Sequence, residues 1–449
     1  MPRTTPESLA RPMLGGPMGS HLASATARTR AWSAGAMMGL LGLSSLLGVL
    51  LQAPCLHRGW ELPFASYRMC ASPLANVMMG TSFPSAPGRA SGDIVGFAPV
   101  TAWVVELGRL LGTGDHRQDT AFLMVFVMLF NVLAFAAAGI ALMLLARDRS
   151  WLPVAFLSPV VIFSVGQSLD PVGVALALWA LVLLRRDTPG GYSPLAAGML
   201  LALAAFINPL AAVVLLAAVV VGLSEGRGRE LVVVGGAWAI IAGILLVADG
   251  RLFGRLQYWW QNAIDRGSIA SLLSFEPGLN SAVVVLVSVL VWVLSTLTVV
   301  IVLMVMAADG RRLSLPAVAT VLIGLSLVLM PAAPTVNALW LVPFAVPAVH
   351  HLGVQIAWGL SEAGLAMAVS LSDVTALEAS NGLAPMWLAA FTLLRVFAIA
   401  AVIFCAVERL TEEPAAGGAR ALADEPAAEG AGESAEARAP RNDSIPQNP

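Results

Sequence analysis

Apolar and polar positions in this chain alternate in blocks. The apolar blocks fall roughly at 31–53, 120–146, 151–166, 171–184, 193–208, 209–223, 231–248, 281–306, 315–330, 335–351, 353–371 and 386–407. Most are as long as a helix needs to cross or enter a bilayer. They predict about twelve transmembrane helices and an all-α polytopic membrane protein. Pro153, Pro159, Pro171 and Pro209 interrupt the pattern and predict broken or re-entrant pieces. The first block follows Arg3, Arg11, Arg28 and Arg30, as a signal sequence would. It is long for a cleaved segment, and Pro54 directly precedes Cys55, so a retained first helix is expected.

Composition supports the pattern. The 449 residues are 58% hydrophobic and 12% charged, against about 25% charged in a soluble domain. A net charge of −2 gives no reason to expect a nucleic-acid partner. The chain contains no lysine, so arginine alone sets the orientation. Arg147 and Arg149, Arg185 and Arg186, Arg227 and Arg229, Arg311 and Arg312, and then Arg409 mark every second loop. The positive-inside rule places those loops and both termini in the cytoplasm, for a multi-pass protein of the plasma membrane.

The expected organisation is a disordered cytoplasmic stretch at 1–30, a membrane domain at 31–410 and a disordered, Ala/Glu/Gly/Pro-rich tail at 411–449. Three outer segments follow: 54–119, the turn GQSLDP, and 249–280. Within the first, 94–111 places Glu106 and Arg109 three apart and predicts an interfacial amphipathic helix. No internal repeat is visible.

Candidate chemistry is sparse. Cys55 and Cys70 share an outer loop on an oxidising face, and a disulfide is expected there. Closing 15 residues contributes about 3 kcal/mol in the chain-entropy account. Asp93 and Asp170 each precede a helix. Asp170 has Pro171 after it, the pattern of an N-cap with proline at the first helical position. Either aspartate is also a candidate general base or sugar-hydroxyl acceptor at the outer surface. Asp265-Arg266-Gly267 follows Trp259 and Trp260. Arg266 is placed to hold a lipid-linked phosphate, or simply to pair with Asp265 at headgroup level. Glu362 and Arg395 fall inside apolar blocks, where charge marks an ion pair or a polar pathway. His350 and His351 have no cysteine or acid at metal-ligand spacing, so no metal is expected. Cys405 reads as a small apolar residue. No glycine-rich phosphate loop and no Gly-x-Ser-x-Gly is present, and nothing calls for a cofactor.

The order of these features resembles glycosyltransferase family 87, in particular its actinobacterial integral membrane members. The resemblance spans roughly 31–410. It is carried by Pro54-Cys55, Trp60, Tyr67 and Cys70; by SPVVIFSVGQSLDPVGVALALWAL, which aligns Asp170 with a family aspartate; and by Asp265-Arg266-Gly267. ALWLVPFAVPA at 338–348, Glu362 in GLSEAG and Arg395 in LLRVF complete it. The resemblance implies a GT-C fold with short interfacial helices in the extracytoplasmic loops. It also implies transfer of a hexose, often mannose, from a polyprenyl-phosphate donor to a cell-envelope lipid or glycan acceptor at the extracytoplasmic face. Asp93 or Asp170 would then act as base. Asp265, Arg266, Glu362 and Arg395 would bind substrate.

The chain departs from that pattern at three places. The family's acid after the second cysteine is Pro73 here. Phe206 and Asn208 stand where the family has lysine and tyrosine, and PAAPTVN replaces an Asn-Lys/Ser-Pro-Gln cluster. Two readings stay open: a divergent transferase, and a catalytically degenerate member that binds or scaffolds in envelope assembly. A secondary transporter would also fit the span count, but repeated halves are missing.

Overall fold

The computed structural model describes residues 27–79, 99–145, 158–185, 192–248, 264, 267–273, 279–377 and 382–412. Among these residues every regular element is a helix. After α1 (Ala27–Arg58) come two short helices, α2 (Phe64–Tyr67) and α3 (Pro73–Met78), and then α4 (Pro99–Leu111). Next come α5 (His116–Leu145), α6 (Pro159–Ser164), α7 (Asp170–Arg185), α8 (Tyr192–Ile207), α9 (Leu210–Ser224) and α10 (Gly228–Ala248). The second half holds α11 (Ile269–Leu273), α12 (Ser281–Ala308), α13 (Leu315–Leu329), a 3₁₀ turn at Thr335–Trp340, α14 (Val342–Ala348), α15 (Leu352–Leu377) and α16 (Pro385–Glu412).

Local chemistry sets the breaks. Pro209 lacks an N–H and divides one long apolar stretch into α8 and α9. The Asn208 side-chain oxygen accepts from Leu210 N at 3.0 Å and starts the second helix. The Asn280 side chain caps α12 by accepting from Ala282 N at 2.9 Å. Ser158-Pro159 and Ser314 with Pro316 open α6 and α13.

Among the described residues, six helices, α1, α5, α10, α12, α15 and α16, are long and apolar enough to cross a membrane; α8, α9 and α13 are shorter apolar helices. This is an all-α membrane protein. The outer faces agree: Leu294 on α12 is 61% exposed, and Val283, Leu290 and Ile301 beside it are also exposed. Such a helix would be unstable in water and is at home against acyl chains. α7 is the opposite, buried along almost its whole length, with α5 on one side and α8 on another. α8 continues to α10, while α9, α13, α16 and α15 pack in succession.

The expected block at 335–351 is broken, not a single helix. Pro334 precedes the 3₁₀ turn, and Pro343 in the first turn of α14 marks the division between the two pieces. The block at 151–166 yields only α6 among the described residues. Arginines from alternate loops reach the carbonyl ends of helices: Arg185 donates to Leu145 O and Arg227 to Leu184 O. Cations at that end complement both the free carbonyls and the helix dipole.

Candidate functional site

Cys55, at the end of α1, is bonded to Cys70. Both are fully buried, in a small core with Trp60, Leu74, Met78, Val105 and Met124. The same core reaches Leu169 and Ile207, the residues immediately before Asp170 and Asn208. The segment after α1 is thereby packed onto the two helix boundaries that carry the most connected polar cluster. Pro73 is the first residue of α3 and has a helix-initiating role.

Asp170 is buried, at 4% exposure. Its Oδ2 accepts from Ser168 Oγ at 2.6 Å. Its Oδ1 accepts from Asn208 Nδ2 at 2.7 Å and from Trp340 Nε1 at 2.9 Å. Asn208 Nδ2 also donates to Asn337 Oδ1 at 2.9 Å. One carboxyl group therefore joins the start of α7, the α8–α9 break and the 3₁₀ turn. The helix begins at Asp170 as the sequence predicts, but the capping role needs correcting. Leu169 O receives the first helical N–H groups, and the carboxyl turns inward to three side-chain donors. Gly173, one turn on, allows this approach, because a Cβ there would lie 2.8 Å from Trp340 Cζ2. Asn131 on α5 holds the entry to the turn by donating to Val165 O and Ser168 O, both at 2.8 Å.

A second buried cluster lies between α15 and α16. Arg395 Nε donates to Glu362 Oε1 at 2.8 Å, with side-chain exposures of 0% and 1%. Trp358 Nε1 donates to the same Oε1 at 3.0 Å. Arg395 Nη1 reaches Gly267 O at 2.8 Å and Ala333 O at 2.6 Å. The pair is an ion pair between helices, and it also fastens Gly267, the last residue of the Asp-Arg-Gly motif. Gly267 has φ +101°, and a Cβ on it would come within 2.5 Å of Arg395 Nη1. Glycine is required there on both counts. Glu362 Oε2 and Arg395 Nη2 are buried without a hydrogen-bond partner in the structure, so the pair retains one acceptor and one donor.

No protein-family profile, curated protein or solved structure matches this chain.

Of the residues singled out from sequence, Asp170, Glu362, Arg395, Cys55 and Cys70 are all placed. Asp170 and the Glu362–Arg395 pair belong to separate clusters. Asp93, Asp265, Arg266, Trp259, Trp260 and the two terminal stretches 1–26 and 413–449 lie outside the described residues. The fold brings Cys405 and Glu408 of α16 to His351, their ligand atoms all within 4.8 Å of one another. Sequence spacing hides this, because 54 residues separate His351 from Cys405.

Ser168, Asn131, Asn337 and Trp340 were missed as parts of the polar cluster. The usable signal was a polar side chain inside an apolar run, as at Asn131 in LFNVL. Asn208 and Asn337 were noted only as departures from a family pattern. In the structure they bond to each other and join the α8–α9 break to the 3₁₀ turn.

Proposed function

We propose that this is a membrane protein of the glycosyltransferase family 87 type that engages a polyprenyl-phosphate hexose at the extracytoplasmic face, as a binding or scaffold member of envelope assembly. In this reading Asp170 is an architectural residue. The observation that carries it is the occupation of the Asp170 carboxyl by Ser168, Asn208 and Trp340 in a buried setting. A general base must reach the acceptor hydroxyl, and here the carboxyl is buried with three of its roughly four lone-pair sites already taken by protein donors. Pro73, at the position where the resemblance expects an acid, cannot take a proton.

The same reading gives the lipid-linked phosphate to Arg266, the residue before the anchored Gly267. The buried Glu362–Arg395 pair supports that anchor through the Gly267 carbonyl. A GT-C architecture with about twelve spans and both termini cytoplasmic belongs to the proposal.

The test is binding of a labelled polyprenyl-phosphate hexose to the purified full chain in nanodiscs. Saturable binding that weakens about ten-fold in Arg266→Met, the loss of one charge-assisted contact, supports the reading. Absence of saturable binding with mannose-, glucose- and galactose-type donors overturns it. Hexose transfer abolished by Asp93→Asn would instead make the chain an active transferase with Asp93 as base.

A further inference from the structure

We infer that His351, Cys405 and Glu408 form a binding site for one first-row divalent cation, with Zn²⁺ the best chemical match. The imidazole, thiol and carboxylate ligand atoms lie within 4.8 Å of one another. They come from two separate parts of the chain. Cys405 and Glu408 stand three apart on α16 and share a face of that helix. His351 immediately precedes α15.

Both parts are fixed by other contacts. The His351 carbonyl accepts from Val354 N at 3.1 Å and Gln355 N at 3.2 Å, so the start of α15 determines where this residue sits. Arg409, the next residue after Glu408, donates to Pro347 O at 2.9 Å and contacts His350 Nε2 at 2.7 Å. That contact holds the end of α16 against the 347–351 segment, independently of the three ligands. Arg409 is the nearby cation, and it is engaged with His350 and Pro347.

The donor set selects the metal. Zinc bonds to sulfur at about 2.3 Å and to nitrogen and oxygen at about 2.0–2.2 Å, which spaces the donors of a tetrahedral shell roughly 3.3–3.8 Å apart. The exposed His351 and Glu408 side chains would rotate to close the difference. A thiolate with an imidazole disfavours Mg²⁺ and Ca²⁺, which take oxygen ligands, and suits Zn²⁺ or Co²⁺. Three protein ligands leave a fourth position for water. Cys405 gives up its proton to solvent on binding. The bound ion would tie the start of α15 to the end of α16. This inference is independent of the sugar-lipid reading.

The experiment titrates Co²⁺ alone into the full-length protein in nanodiscs and follows the thiolate-to-cobalt absorption in the near ultraviolet. One equivalent is expected, with the band lost in Cys405→Ser. In His351→Ala and Glu408→Gln, binding should weaken by more than the ~10-fold typical of outer-shell partners. His57→Ala serves as the control and leaves the band unchanged. Helical circular dichroism and the Cys55–Cys70 gel shift check that each variant is folded. A titration with no thiolate band, or binding equal in wild type and folded Cys405→Ser, overturns the proposal.

Discussion

At the residue scale, two buried clusters set the energetics, and they behave differently. Around Asp170 the partners are Ser168, Asn208 and Trp340. Trp340→Phe keeps an aromatic ring but removes the N–H and some buried volume, leaving a buried oxygen short of one donor. A cost of about 1–3 kcal/mol is expected, and Asn208→Ala should fall in the same range. Their combined effect should differ from the sum, because both donate to the same oxygen. Unfolding in mixed micelles, read by tryptophan fluorescence, measures this. An additive double variant would show that the two donors act separately. The Glu362–Arg395 pair is more demanding. Removing one partner strands a fully buried charge, so Glu362→Gln or Arg395→Met should each cost about 3–5 kcal/mol. The double variant Glu362→Leu with Arg395→Met should recover part of that loss, since desolvation of both charges disappears together. A double variant less stable than either single one would contradict the assignment as a structural pair.

At the element scale, the helix starts were legible because each depends on adjacent residues. Ser158-Pro159, Asn208-Pro209, Asn280 and Ser314 are local signals that act where they stand. The breaks near 341 were less legible. A run such as ALWLVPFAVPA is apolar throughout, and periodicity alone does not separate one helix from two pieces. The Asp170 cluster was harder still. Its members lie up to 170 residues apart, and no spacing rule joins the start of α7 to Trp340. The Cys55–Cys70 link was the exception, since the two cysteines are separated by only 15 positions in the sequence. Replacing both by serine should lower stability by about 3 kcal/mol and abolish the mobility difference between reduced and non-reduced samples. Gly267→Ala tests the anchoring of the chain at Gly267. It combines a left-handed backbone with a collision at Arg395, so a cost of about 1–3 kcal/mol is expected from backbone strain alone. A neutral result in thermal unfolding would show that the segment docks in another way.

At the scale of the whole molecule, membrane character was the most legible property, because it is written into every apolar block. Six helices meet the length and composition for a span, and α12 turns most of its apolar surface outward. An arginine at the outward-facing Leu294 is therefore expected to cost about 2.5–3.5 kcal/mol on insertion scales for a central position. It should reduce the folded yield in membranes, whereas Leu294→Phe should be tolerated. Function was not legible in this way, since it rests on a few polar positions whose roles depend on which long-range neighbours they meet.

The most direct test is a transfer assay in membranes lacking the native protein, complemented with wild type, Asp170→Asn or Asp93→Asn and supplied with labelled polyprenyl-phosphate hexose. The account predicts that wild type binds the donor without forming a labelled glycan or lipid product. A labelled product from wild type that disappears in a folded Asp170→Asn variant would contradict it and make Asp170 the catalytic base.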